Sequence, residues 1–338
     1  MHARRHRSTR MIIPKYWAEA RLHHRDRKRQ VTVRRFGWSD IGEFEAQTHA
    51  DARVREAFDR AMAGETLLRR ERRVAYNGAD GVPIREEIVD RAGDTVITRN
   101  GYGALCLNTP NVLFADIDFD KKRGCAFTVW SMVATAIMIF VVLWSIPQTV
   151  PLALVLAPVI GGLILGPGLA YALDRSWIVL WGGDERYARR RVAGFLRKRS
   201  DWRVRVYRTP AGLRLLALHR LFDPREPEVA ACFHALGVDP TYAQMCFKQN
   251  CFRARISPKP WRIGLQRLRA PYAAVWRPAH ADLPVCRLWI DVYEREAECY
   301  ASCRFTESLG TGRTDPSAEA VQLLHDMFCR ADQGMKIA

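Results

Sequence analysis

Residues 124–173 form fifty consecutive positions without a single Asp, Glu, Lys or Arg. A bilayer core about 30 Å thick is crossed by roughly 20 apolar residues in a helix, so this stretch is long enough to cross twice. Pro147, Gln148 and Pro151 are its clear interruption, which predicts spans over 126–146 and 150–173 joined by a very short turn. A buried helix of a soluble protein can be equally apolar, but two in succession without a charge read as a transmembrane hairpin. Lys121, Lys122 and Arg123 precede the first span, and Arg175, Arg186, Arg189, Arg190 and Arg191 follow the second. With an uncharged turn between them, the excess of positive charge predicts a two-pass protein of the inner (plasma) membrane with both termini cytoplasmic. Trp130, Trp144, Trp177 and Trp181 fall near the span ends, where interfacial aromatics belong.

Within the hairpin, Ala153, Ala157 and Gly161 recur every fourth residue, as do Gly162, Gly166 and Ala170. Small stripes of this kind let helices approach closely. The first span is the nearest partner, and a homodimer through the second span is the alternative. Neither span contains an ionisable residue, which argues against an ion pathway or a transporter core.

The remaining chain is basic. The 338 residues carry a net charge of +17, supplied mostly by arginine, which points to anionic partners: lipid headgroups, nucleotides or nucleic acid. The nine cysteines include no C-x-x-C pair. The closest pairs, Cys246/Cys251 and Cys299/Cys303, have no histidine nearby at ligand spacing, and free thiols in a reducing compartment are expected. The N-terminus has basic residues but no apolar segment of the kind a cleaved secretory signal needs.

Taken in order, residues 1–35 read as a basic arm, disordered or loosely helical, with Tyr16 and Trp17 as docking points. Residues 36–123 and 174–338 read as two parts of one domain. Ser39 is a candidate cap for a helix whose apolar face is Ile41, Phe44, Ala52, Val54, Phe58 and Met62, stopped by Gly64. Strands separated by Asn-Gly and Gly turns follow, ending in the run NVLFADIDFD at 111–120. Beyond the hairpin, a basic helix covers 184–199, and WRVRVYRT and LRLLALHR make a hairpin around Pro210-Ala211-Gly212. Helices are expected at 226–237, 240–250 and 316–330, and strands at FRARI, VCRLWIDVYE and CYASCRF. The fold class is an α+β cytoplasmic domain interrupted by a two-helix transmembrane hairpin.

Two constellations could carry chemistry. In Asp116-Ile117-Asp118-Phe119-Asp120, a strand directs the aspartates to one face, where a hard cation such as Mg²⁺ or Mn²⁺ would neutralise them. A strand end meeting solvent, balanced by Lys121, Lys122 and Arg123, explains the same residues. The second is Arg253, Arg255, Lys259, Trp261 and Arg262, with two prolines stiffening the loop. Fixed cations beside an aromatic can hold phosphate and stack a base, and Arg208 and Arg214 would complete the basin. An exposed basic edge strand is the simpler alternative. His219, His234, His280 and His325 are isolated and read as packing or surface residues, and no G-x-S-x-G, P-loop or H-E-x-x-H motif occurs.

An apolar strand ending in Asp-x-Asp, followed by a strand–turn–strand element with T-P-x-G, resembles the archaeo-eukaryotic primase superfamily. The resemblance rests on LFADID, YRTPAGLR at 207–214 and LWID at 288–291. It implies that Asp116 and Asp118 hold catalytic metal and that Asp291 completes the site, with Arg214 standing where the family carries a histidine. Two functions are therefore expected. One is a membrane-held nucleotide- or nucleic-acid-binding domain, with metal-dependent nucleotidyl or phosphoryl transfer at Asp116, Asp118 and Asp291. The other is a non-catalytic scaffold contacting anionic lipid and a protein partner.

Overall fold

The computed structural model describes residues 11–26, 29–68, 72–119, 125–146, 151–268 and 278–338. Asp120, the basic flank Lys121, Lys122 and Arg123, and the interruption at Pro147 and Gln148 lie outside them. The chain divides into two compact units, Met1–Ile117 with Phe195–Ala338, and Asp118–Gly194.

The larger unit begins with β1 (Tyr16–Arg25) and β2 (Gln30–Ser39), an antiparallel hairpin, followed by α1 (Glu43–Met62). The loose arm expected over residues 1–35 is thus a strand hairpin from Tyr16 onward. Its charges mask an alternation in which Ala18, Ala20 and Val33 face α1, meeting Ala46, Ala50, Val54, Ala57 and Ala61. The face of α1 matches expectation at Val54, which is buried in the contact, and at Phe58, which packs against it, but differs toward the helix start. Ile41 and Phe44 are about four-fifths exposed, and small alanines fill the contact instead. Gly37 explains the choice: a Cβ there would lie 2.2 Å from Ala46 O and Ala50 N, so helix and strand meet backbone to backbone. Ser39 does not cap the helix; its Oγ accepts from Ile41 N at 2.9 Å, and Gly42 occupies the N-cap.

A short hairpin, β3 (Val74–Tyr76) and β4 (Ala79–Gly81), turns through Asn77-Gly78, both at positive φ as this turn requires. Next come β5 (Glu87–Ala92), β6 (Thr95–Arg99), β7 (Leu105–Thr109) and β8 (Phe114–Asp118). After the smaller unit, β9 (Arg203–Thr209) and β10 (Gly212–Ala217) form the expected hairpin, and β11 (Phe252–Arg255) and β12 (Arg304–Gly310) complete the strands. Two four-stranded sheets result, ordered β12-β9-β10-β8 and β11-β7-β6-β5. Each draws strands from both sides of the apolar segment.

The smaller unit holds α2 (Cys125–Trp144), α3 (Pro151–Leu180) and nearly all of α4 (Asp184–Leu196). Two windows, Ala126–Trp144 and Val155–Leu180, are long and apolar enough to cross a membrane, and only 11% and 22% of them is buried. The second helix continues past Asp174 and Arg175, beyond the end expected at Leu173. The Gly162, Gly166 and Ala170 stripe is buried. A Cβ at Gly162 would sit 2.7 Å from Met132 O, and one at Gly166 would sit 2.5 Å from Met132 Cα, so α2 occupies this stripe.

The remaining helices are α5 (Pro227–Leu236), α6 (Pro240–Gln249), α7 (Pro278–Ala281), α8 (Pro284–Ala297) and α9 (Pro316–Cys329). Asp239 caps α6, and Asp315 caps α9 by accepting from Ser317 N and Ala318 N at 2.8 and 3.2 Å. The segment VCRLWIDVYE, expected as a strand, is α8. Pro284 starts it, and its buried residues Cys286, Tyr293 and Ala297 follow helical spacing despite the β-rich composition.

Candidate functional site

All six residues of β10 are buried, and one of them is an arginine. Arg214 is 2% exposed, so its charge needs a partner nearby. It donates from Nε to Asp116 Oδ1 at 2.7 Å and from Nη2 to Asp116 Oδ2 at 3.0 Å, a bidentate pair with β8. Nη1 donates to Arg255 O at 2.8 Å and meets His325 Nε2 at 3.2 Å. Burial alone would raise the Asp116 carboxyl, but the Arg214 guanidinium outweighs it and holds the group below the usual carboxylate range.

This pairing decides how the expected metal residues stand. Both oxygens of Asp116 are taken by a cation of the chain itself. Asp118 is exposed at the strand end, and Asp291 lies on the exposed side of α8. The three aspartates form no group of carboxylates close enough to share an ion. A hard cation such as Mg²⁺ needs several convergent oxygen donors, and Asp116 gives both of its oxygens to Arg214.

The basic cluster is likewise dispersed. Arg253 donates from Nη2 to Glu86 Oε1 and Oε2 at 2.7 and 2.6 Å. Arg208 bonds the carbonyls of Thr209 and Gly212 across its own turn. Arg255 offers its carbonyl to Arg214, and its Nε is buried without a hydrogen-bond partner. Lys259 and Trp261 do come together, with Nζ 5.4 Å from the ring centroid. Trp261 is about half exposed and packs edge-on to Tyr102, the part of the expected basin that stays open.

Two features escaped the sequence. The first is a cavity of about 280 Å³ lined by Arg35, Arg53, Glu56, Arg60, Arg72 and Arg73. Five arginines and one glutamate line it; Glu65 binds Arg60, Asp80 binds Arg73 at 2.9 Å, and Arg35 and Arg53 donate to the carbonyls of Arg34 and Phe36. The sequence signal was the arginine run around 69–73, but its partners on β2 and α1 appear only once the first hairpin is recognised.

The second is a buried sulfur–imidazole cluster beside Arg214. Cys303, His325 and Cys329 are all fully buried, and their donor atoms lie within 4.8 Å of one another. His325 Nε2 is 3.4 Å from Cys329 Sγ and 3.9 Å from Cys303 Sγ. His325 Nδ1 meets Asp326 Oδ1 at 3.0 Å, and Arg205 Nη2 holds the other carboxylate oxygen at 3.0 Å. Burial pushes the Cys329 thiol up, but a hydrogen bond from Cys303 and the nearby His325 and Arg214 bring it well below its ordinary value. As that donor, Cys303 is pushed the other way. The H-x₃-C spacing at 325–329 is the signal that could have revealed it, because i and i+4 share one helix face.

No protein-family model, curated protein or solved structure matches this chain.

Proposed function

We propose that the chain is a two-pass inner-membrane protein whose α+β domain faces the cytoplasm and binds phosphate-bearing molecules, nucleotides foremost, as a binding module. The observation that carries this reading is the outward apolar surface of α2 and α3. Val129, Val133, Ile137, Val141, Leu163 and Ile164 are each more than two-fifths exposed. A core helix of a soluble protein buries such side chains, whereas lipid accepts them. Trp177 and Trp181 pack in a tilted pair at 5.7 Å beyond Asp174, and Arg190 lies over Trp181, an arrangement suited to the headgroup region of an anionic leaflet. A sheet cannot straddle a bilayer, and one sheet unites β8, before the hairpin, with β9, β10 and β12 after it. That pairing supports both ends leaving the bilayer on one face, and the positive flanks favour the cytoplasmic one.

The ligand class follows from the arginine-lined cavity. Guanidinium groups bind phosphate bidentately, and a cleft lined by five arginines, two of them already paired with Glu65 and Asp80, favours an anion. The pairing of Asp116 with Arg214 favours binding over metal-dependent transfer at this strand end.

Alkaline carbonate washing of membranes tests the location: the protein should stay in the pellet until detergent releases it, and recovery in the wash would overturn the membrane reading. Binding is tested with a fluorescent adenine nucleotide and the detergent-solubilised chain. Binding should weaken with salt and fall about tenfold in Arg35→Gln/Arg72→Gln, a loss near 1.4 kcal/mol. Unchanged affinity in that variant would remove the cleft as the site.

A further inference from the structure

We propose that Cys303, His325 and Cys329 bind one thiophilic d¹⁰ cation, Cu(I) or Zn(II), inside the core of the larger unit. The argument begins with the donors. Two thiols and an imidazole are the ligands such ions select, and they arrive from two elements, the approach to β12 and the last turn of α9. Metal–sulfur bonds of about 2.3 Å and metal–nitrogen bonds of about 2.0 Å at near-tetrahedral or trigonal angles separate the donors by roughly 3.5–4 Å. The observed separations of 3.4 and 3.9 Å around Nε2 match that span before any ion enters.

The support behind the ligands points the same way. A carboxylate only accepts, so the contact with Asp326 Oδ1 puts the ring proton on Nδ1 and turns the Nε2 lone pair toward the sulfurs. A carboxylate–histidine pair of this kind orients metal-binding imidazoles and raises their basicity. Asp326 is itself fixed by Arg205 and by Gln322 Nε2 at 3.0 Å. Phe114 and Tyr207 wall the imidazole at 5.2 and 4.8 Å between ring centroids, giving the dry surroundings that strengthen thiolate coordination. Arg214 Nη1 now donates toward Nε2, but it keeps Arg255 O, and the guanidinium keeps Asp116, if a cation takes that lone pair. Its positive charge also favours ionisation of the two thiols, whose protons leave as the cation binds.

Among the described residues no fourth Cys, His, Asp or Glu joins this group. Three protein donors satisfy trigonal Cu(I), whereas Zn(II) would need an exogenous fourth ligand.

The test is metal analysis and X-ray absorption on the full-length chain in detergent, purified under reducing, oxygen-free conditions and offered Cu(I) or Zn(II) separately. One equivalent of metal should survive desalting, with two sulfurs near 2.2–2.3 Å and one nitrogen near 2.0 Å. The Cu(I)-loaded chain should be three-coordinate, and the Zn(II)-loaded chain four-coordinate with one solvent-derived donor. Cys303→Ala/Cys329→Ala should lose the metal, while Cys232→Ala, a buried thiol of α5, should keep it. Because the double variant could misfold, the absorption spectrum of the unaltered protein stands by itself. Only oxygen and nitrogen neighbours, no retained metal with either ion, or a Cys303–Cys329 disulfide in the fresh protein would each overturn the proposal.

Discussion

His219 illustrates how a single side chain links packing to pH. Its ring lies 4.5 Å from Trp202 and 5.3 Å from Phe222, centroid to centroid. Burial lowers its pKa below the ordinary 6.5, Arg220 alongside lowers it further, and Asp201 and Glu228 pull weakly the other way. The unfolded chain takes up a proton near 6.5 while the folded chain resists, so unfolding gains on folding as pH drops. This contribution is whole above about pH 6.5 and is lost as pH falls toward the folded value. His219→Phe should therefore flatten the fall in urea midpoint between pH 7.5 and 5.5, and an unchanged slope would assign it to other groups. At Arg214 the cost is electrostatic. Arg214→Met leaves Asp116 charged and partly buried, and should destabilise the larger unit by roughly 3–5 kcal/mol in urea melts. Asp116→Asn in the same chain should restore part of that loss. Sequence reasoning placed Asp116 and Arg214 in one site and missed that they neutralise each other. An arginine in an apolar strand shows its need for a partner, but not which carboxylate, 98 residues away, meets it.

Legibility differs among elements for a physical reason. The β9–β10 hairpin, α5, α6 and α9 were readable because turn residues, prolines and capping aspartates are local signals. In α8, β-branched and aromatic residues hid a helical period, and in β1 and β2 the charges hid a strand alternation. The corrected part of the α1 face, at its N-terminal end, gives a direct test. Gly37→Ala forces a Cβ into the backbone of Ala46 and Ala50 and should cost about 3 kcal/mol or more, the upper end of overpacking. Phe44→Ser, at an exposed position, should change stability by no more than about 0.5 kcal/mol. Thermal melts of both variants decide which side of α1 is the inner one. The same logic applies between α2 and α3. Gly166→Leu should disrupt their packing and lower the melting temperature in detergent, whereas Gly168→Ala, with nothing within 4 Å of its Cβ, should not.

At the scale of the whole molecule, composition announced the apolar pair, but long-range pairing had to be seen. β11 pairs with β7 in register Phe252↔Thr109, and β8 lies beside β10, so both sheets close across the apolar segment. Contacts so distant in sequence are costly to form in an unfolded chain, and local pattern carries no trace of them. Among the described residues, the sheets of the larger unit contain no strand from 125–180. Replacing residues 121–182 with a Gly/Ser linker of about 20 residues, roughly 25 Å in mean reach, should therefore yield a soluble protein. Its near-UV circular dichroism should show fixed aromatic packing, and its urea unfolding should remain a single cooperative transition. Aggregation of the excised chain, or a spectrum lacking near-UV structure, would mean that the two segments need the apolar pair to find each other. In that case the hairpin organises the fold, and the insertion proposed above would be a folding step as well as an address.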